Sequence, residues 1–258
     1  MNTKFISDKS REIIDQYKNF SIGQASCSIP YFNNRTLGTK GALRAEVGKG
    51  SPSDISEEIE HLSLKNKIKL NTLTSEELKK LLVDNNIGID CSGLAYYILN
   101  EESLSRKKGA LASHINFVNA GGLWRIFRAK FMPEKNIDVL TLAHNKNSKV
   151  IALKEIEPGD IVTMVNGENN GERNHILIIN QIEYQNFLPI TLHYVHSVAW
   201  PTDGEYGHGI HEGKIEILDL EKNLIDQRWI ENGKEGEENY THMRAKKSTT
   251  ELRRLFWF

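Results

Sequence analysis

Residues 88–99 read Gly-Ile-Asp-Cys-Ser-Gly-Leu-Ala-Tyr-Tyr-Ile-Leu and place Cys91, one of two cysteines, at a predicted helix start. Asp90 or Ser92 can cap this helix. The macrodipole and unpaired N–H groups of a helix start lower the pKa of a thiol such as that of Cys91. The small Ser92 and Gly93 would let a carbonyl group approach the backbone N–H groups of an oxyanion hole. A buried structural cysteine fits the same residues, so this stretch alone leaves both interpretations open.

A candidate base for the thiol lies on a predicted strand. Residues 157–162 (Glu-Pro-Gly-Asp-Ile-Val) predict a turn and a strand, and His175 begins the next one, at residues 175–179. An imidazole there can act as a base on a neighbouring thiol. Residues 192–198 (Leu-His-Tyr-Val-His-Ser-Val) predict an adjacent strand, about 4.8 Å away, from which a polar residue can fix the tautomer of His175. Because side chains alternate, only one of His193 and His196 can do so.

Four ordered motifs resemble the NlpC-type cysteine peptidases: Asp-Cys-Ser-Gly-Leu (90–94), Pro-Gly-Asp-Ile-Val (158–162), His175 followed by aliphatic residues, and Val-His-Ser (195–197). The resemblance covers roughly residues 86–200. It implies a papain-like fold and cleavage of bacterial cell-wall stem peptides, so the expected substrate is a peptide or a muropeptide-like compound. It also implies Cys91 as nucleophile, His175 as base and His196 as the residue that orients the base.

The sequence departs from that family in the position of a Pro30-Tyr31 pair. The pair is similar to the family's Pro-Tyr and would make Tyr31 a substrate or oxyanion contact, but about sixty residues separate it from Cys91. The stretch between Cys91 and the Pro-Gly-Asp turn is also longer than usual. It contains a basic amphipathic segment at residues 123–128.

The pattern of predicted elements changes near residue 136. Helical spacing comes first: one helix carries Ile13, Ile14 and Tyr17, a second follows Ser53, and a third begins with a capping box of Thr74 and Glu77. Short β-prone segments come afterwards, at residues 137–142, 149–153, 160–165, 175–183, 190–198 and 214–220. This order predicts an α+β fold in which the Cys91 helix packs on a mainly antiparallel sheet.

We expect a single domain over residues 1–258, because no Pro/Ser-rich linker divides the chain. Within it, residues 1–85 form an N-terminal helical elaboration and residues 86–230 the catalytic core. Residues 231–258 form a C-terminal extension.

Composition restricts the classes of function. Lys and Arg total 33 against 34 Asp and Glu, a net charge of −1, which argues against nucleic acid as the main partner. The simplest explanation of the basic segment 123–131 is a solvent-exposed helix face that covers buried aromatic side chains. The longest apolar run, residues 94–99, is far short of a bilayer span, and residues 1–20 lack a secretory pattern. These signals predict a cytoplasmic protein without a transmembrane segment.

The nine histidines raise the question of a metal. His193 and His196 form one H-x-x-H pair, but positions i and i+3 of a strand point to opposite faces. His208 and His211 form another pair in a Gly-rich loop without a cysteine or carboxylate beside them. We therefore expect no metal and no cofactor. Two functional classes remain: a thiol hydrolase, amidase or acyltransferase, and a non-catalytic module that binds a peptide or partner. The intact cysteine and histidine set favours the enzyme.

Overall fold

The computed structural model describes residues 2–34, 44–118, 129–166 and 174–258. The helices in these ranges are α1 (Asp8–Lys18), α2 (Pro52–Asn66), α3 (Ser75–Asp84), α4 (Cys91–Ser105), α5 (Leu111–His114), α6 (Pro133–Asn136), α7 (Val139–Ala143), α8 (Gly204–Gly207) and α9 (Tyr240–Lys246). The strands are β1 (Asn2–Phe5), β2 (Phe20–Ile22), β3 (Ala25–Cys27), β4 (Ser148–Val150), β5 (Ile161–Val165), β6 (His175–Gln185), β7 (Leu188–Val198), β8 (Gly209–Glu216), β9 (Arg228–Glu231) and β10 (Thr249–Leu255). The chain is therefore a mixed α+β protein.

The main sheet has eight strands, and every pairing in it is antiparallel. Seven strands follow the order β4-β10-β5-β6-β7-β8-β9, and β1 pairs with residues 181–184 of β6. Strand β10 lies between β4 and β5, so residues 231–258 supply an interior strand of this sheet. A separate hairpin pairs β2 with β3.

Hydrophobic residues cover both faces of the sheet. Helix α4 packs on one face, where its apolar side chains join those of β6 and β7 in one buried cluster: Leu94, Ala95, Ile98, Ile176, Ile178 and Val195. The opposite face carries a second cluster that includes Leu177, Ile179, Tyr194 and Trp229. Full burial of such a side chain stabilises the fold by about 1.5–3 kcal/mol. The first cluster therefore holds α4 against β6 and β7.

Local sequence signals account for most element boundaries. Thr74 and Glu77 form the predicted capping box of α3, and α2 begins at Pro52, just before Ser53, with Ser51 as its cap. The strand predicted at residues 137–142 is wrong: the Asp138 carboxylate accepts a hydrogen bond from Thr141 N at 2.8 Å and starts the short helix α7 there. Of the last predicted strand, at residues 214–220, only the part up to Glu216 is a strand, in β8. The basic segment at residues 123–128 lies outside the described residues.

No helix among the described residues is long and apolar enough to cross a membrane.

Candidate active site

A buried ion pair fixes the start of α4, the helix that carries Cys91. The Asp90 carboxylate caps the helix by accepting from Gly93 N at 2.6 Å. Lys49 Nζ donates to Asp90 Oδ1 at 2.7 Å and to Ser92 Oγ at 2.6 Å, and all three side chains are buried. Lys49 therefore balances the charge of the capping carboxylate. Sequence analysis missed this lysine, which lies 41 residues before its partner.

Ser92 and Gly93 have structural roles, and the approach of a substrate carbonyl to the main chain here stays a prediction. The Ser92 hydroxyl is held by Lys49 and Asp90, in the interior. A Cβ on Gly93 would lie 2.7 Å from Gly48 O, so glycine is needed because the backbone of residue 48 packs against this turn. Asp90 accepts from Gly93 N through its carboxylate and from Leu94 N through its carbonyl, which leaves the N–H groups of residues 91 and 92, because the first N–H groups of a helix have no intrahelical acceptor. An oxyanion hole here would use the main chain of residues 91 and 92.

The thiol of Cys91 meets β6 at the two residues that flank His175. Its sulfur lies 4.0 Å from Asn174 O, and the main-chain N–H of Ile176 donates to it. The paired register of β6 and β7 begins at Ile178, beyond this point. The sulfur therefore contacts the beginning of the strand that carries the candidate base.

The side chain of His175 continues into a hydrogen-bonded chain. Its Nε2 lies 2.6 Å from Nδ1 of His196, the residue that the motif resemblance implies, and strand alternation allows only one of His193 and His196 to make this contact. His196 Nε2 lies 3.1 Å from Oε1 of Glu231, which also lies 2.9 Å from His211 Nδ1. Tyr194 OH donates to Oε2 of the same carboxylate at 2.7 Å. His193 instead contacts Glu183, at 2.9 Å.

The Glu231 carboxylate determines the proton positions along this chain. A carboxylate only accepts, so His196 donates from Nε2 and its Nδ1 carries the lone pair. His175 then donates from Nε2, which leaves the lone pair on Nδ1, the ring nitrogen nearer its own backbone. The sulfur of Cys91 contacts that same stretch of backbone. The lone pair of His175 thus lies on the ring nitrogen nearer the main chain that Cys91 contacts.

The two histidines lie on the sheet face opposite the body of α4. His196 alternates with Val195, which packs in the α4 cluster, and its ring contacts those of Tyr194 and His211. Ser197, on the α4 side, donates to Ile89 O at 2.7 Å. The body of α4 and the histidine chain therefore lie on opposite faces of the sheet, and Cys91 contacts the main chain at the beginning of β6.

The expectation of a lowered pKa for Cys91 is wrong in this closed site. Burial of the thiol, followed by the charge of Asp90, raises its pKa to about 12, against the opposing effects of Lys49, Arg244 and the Ile176 N–H. Burial also lowers the pKa of His175 well below its usual value, and Arg244, His196 and His211 add to that effect. The pair therefore rests as a neutral thiol beside a neutral imidazole.

Tyr31 lies beside Cys91 in space despite its distance in sequence. Residue 31 forms a parallel bridge with Ile89, and Ile89 N donates to Pro30 O at 3.0 Å. Burial raises the pKa of Tyr31, and the nearby Cys91 raises it further, so the phenol stays protonated and can donate a hydrogen bond. The structure therefore places Tyr31 near Cys91.

Three buried side chains of the histidine chain could also hold a metal ion. The candidate ligand atoms of His196, His211 and Glu231 lie within 4.8 Å of one another. Neither predicted H-x-x-H pair converges, since His208 Nδ1 accepts from Tyr31 N at 3.1 Å. The direct contacts of Glu231 with both imidazoles already satisfy these polar atoms. Glu231 was not identified from the sequence; it reaches this site because β9 pairs with β8, in which His211 pairs with His196 of β7.

Comparison with protein-family models, curated proteins and solved structures finds no match to the chain.

Proposed function

We propose that the protein is a thiol hydrolase that cleaves an amide bond, with Cys91 as nucleophile and His175 as base. One observation carries the proposal: the Cys91 sulfur contacts the backbone on both sides of His175, whose Nε2 lies 2.6 Å from His196. His196 and Glu231 orient the base. Tyr31 and the main-chain N–H groups of residues 91 and 92 stabilise the oxyanion.

The reaction begins from the neutral pair. As the sulfur attacks the carbonyl carbon, the thiol proton moves to Nδ1 of His175 and the carbonyl electron pair moves to oxygen. The tetrahedral intermediate collapses, the C–N bond breaks, and the amine leaves with the proton from His175. Water then attacks the thioester, giving its proton to His175, and the thiol is regenerated as the acid leaves. Glu231 stabilises the imidazolium through His196 at each stage.

The substrate class rests on the motif resemblance. NlpC-type peptidases with papain-like folds act on cell-wall stem peptides, and the same order of motifs favours a small peptide of this kind here. A thiol amidase or acyltransferase would use the same residues. A binding module would need neither the basic nitrogen of His175 nor the carboxylate that fixes its tautomer.

The first prediction compares the two cysteines, both of which have raised pKa values through burial: about 12 for Cys91 and about 11 for Cys27. Thiolate population alone would make Cys27 the more reactive. We expect the opposite order with iodoacetamide near pH 7, because the proposal assigns His175 to Cys91 as a base, whereas the titratable group that acts on Cys27 is the amine of Lys79. Peptide mapping of the alkylated protein by mass spectrometry measures both rates.

Two variants and one treatment complete this test. His175→Ala should remove the advantage of Cys91, and Cys91→Ala should abolish turnover of muropeptide-like amides, whereas Cys27→Ala should keep it. Dialysis against a chelator should leave turnover unchanged, since the mechanism uses no Lewis acid. Full turnover by Cys91→Ala would disprove the assignment. Stoichiometric zinc in the purified protein, together with a loss of activity when that zinc is removed, would favour the metal site.

A further inference from the structure

The strongest unexplained feature near the thiol is Arg244, on α9. Each of the other six arginines in the described residues has a carboxylate within 4.0 Å: Arg11, Arg44, Arg106, Arg228, Arg253 and Arg254. Within the same part of the chain, Arg244 has none. An unpaired, half-buried guanidinium loses hydration without a compensating partner, so it is poised for an anionic ligand.

Arg244 lines a cleft at the end of β7, next to the histidine chain. The cleft includes Val198, two residues beyond His196, together with Trp200, Tyr240 and Lys247. Arg244 and Lys247 give it two cations, and none of its ten lining residues is acidic. Its volume is about 190 Å³. Because pockets for drug-sized ligands occupy about 300–1,000 Å³, this cleft suits one or two amino-acid residues.

The charge of Arg244 acts on the reacting groups themselves. It lowers the pKa of Cys91 and adds to the lowering of the pKa of both His175 and His196. The guanidinium is therefore close enough to oppose protonation of the base. An anion bound to Arg244 would offset this opposition and strengthen the base only while a suitable substrate occupies the cleft.

We propose that Arg244 binds a carboxylate of the peptide substrate in this cleft and thereby selects anionic peptides. The inference rests on the proposed hydrolase function for its kinetic consequence, but binding of the carboxylate needs only the cleft. Arginine suits this role because its planar N–H groups bind a carboxylate in a bidentate manner. Trp200 and Tyr240 supply apolar walls for the rest of the residue.

The test measures binding separately from turnover. Titration calorimetry on the Cys91→Ala protein would compare acetyl-dipeptides ending in a free carboxylate with the same dipeptides ending in a carboxamide. A charge-assisted hydrogen bond contributes about 1.5–3 kcal/mol, so we expect the carboxylate to bind roughly 10- to 100-fold more tightly. Arg244→Met should abolish this preference, and Arg244→Lys should retain part of it.

Two lysines provide matched controls for the loss of one positive charge. Lys246→Met changes an exposed residue of α9 outside the cleft lining, and Lys247→Met removes the second cation of the cleft. Both variants should keep a carboxylate preference of at least tenfold. If Lys247→Met abolishes the preference while Arg244→Met keeps it, the assignment to Arg244 is wrong.

Steady-state kinetics on protein that retains Cys91 separates this inference from the proposed function. Carboxylate peptides should show both a lower KM and a higher kcat than their carboxamides, and Arg244→Met should remove both differences. Equal binding of the two peptide forms, including no measurable binding of either, overturns the inference even if both are hydrolysed. A carboxylate preference in binding without any turnover would instead disprove the hydrolase and leave the carboxylate site in place.

Discussion

The imidazole of His196 is held at both ring nitrogens, by His175 at 2.6 Å and by Glu231 at 3.1 Å. Glu231 accepts the proton on His196 Nε2, and His196 Nδ1 accepts the proton on His175 Nε2. His196 therefore transmits the negative charge of Glu231 to the base and has no direct role at the thiol. His175 would otherwise sample the tautomer with its proton on Nδ1, which cannot accept a proton from Cys91. The role of His196 is therefore to position the base.

We expect His196→Ala to lower kcat by about 10²-fold, since general-base catalysis contributes roughly 10²–10⁴-fold and water can partly replace an orienting group. His175→Ala should cost more. His193→Ala is the matched control. The imidazole of His193 lies on the opposite face of β7 from His196 and contacts Glu183 of β6. Initial rates across pH 6–9 on one amide substrate provide the measurement. Equal losses from the His193 and His196 variants would contradict the assigned register.

The residues that sequence analysis identified differ in kind from those it missed. Cys91 and His175 follow from local signals, namely a helix start and the beginning of a strand, and His196 follows from strand alternation together with the motif resemblance. Lys49, Glu231 and Arg244 have no such signal, since their importance arises only when the fold joins segments distant in sequence. The raised pKa of Cys91 has the same origin, because the helix dipole is a local property whereas burial depends on the whole fold.

At the scale of elements, the start of α4 is a junction of three chain segments. Ile89 forms a parallel bridge with Tyr31 and an antiparallel bridge with Lys49, so residues 30–32 and 48–50 flank the residues just before Cys91. Gly48 O accepts from Asp90 N at 2.9 Å, and a Cβ on Gly48 would lie 2.2 Å from Phe32 O. This junction explains how the Pro30-Tyr31 pair reaches the thiol across so long an insertion.

We expect Lys49→Met to destabilise the protein by about 3–5 kcal/mol, the usual cost of leaving a buried charge without its partner. The double variant Lys49→Met with Asp90→Asn should recover part of the loss, because the amide can still cap α4 and no uncompensated charge remains. Lys149→Met, on the exposed edge strand β4, is the control and should change stability by less than about 0.5 kcal/mol. Urea denaturation followed by far-UV circular dichroism measures all three. A change below 1 kcal/mol in Lys49→Met would show that the pair is not buried in solution.

At the scale of the whole molecule, the C-terminal segment completes both the sheet and the site. Arg254 of β10 forms two hydrogen bonds of 2.8 Å with Asp160, the acidic residue of the Pro-Gly-Asp turn. Glu231 ends β9 and Arg244 lies on α9, so this segment also supplies the anchor of the histidine chain and the cation of the cleft. Sequence analysis could not assign these tasks to a terminal extension, because strand order is not encoded locally.

The buried histidine chain also links the stability of the whole fold to pH. His175 and His196 have pKa values lowered by burial, so the folded state keeps both neutral while the unfolded state protonates them below its pKa of about 6.5. Stability is therefore full above pH 6.5 and falls as pH decreases, by up to about 1.4 kcal/mol per pH unit for each histidine. Glu231, whose pKa is lowered chiefly by His196 against the effect of burial, adds a further loss below about pH 4.3.

Urea denaturation at intervals between pH 5 and 8 should show this slope directly. His175→Gln should lower the slope below pH 6.5 by about 1.4 kcal/mol per pH unit, because one of the two protons taken up on unfolding is then lost. His193→Gln is the control, since the His193 side chain is 29% exposed and is not part of the buried histidine chain. The comparison uses slopes rather than absolute stabilities, so it tolerates a uniform loss of stability in His175→Gln. Identical slopes in the wild type and His175→Gln would mean that His175 is protonated in the folded state, and the neutral base required by the proposed mechanism would then be absent.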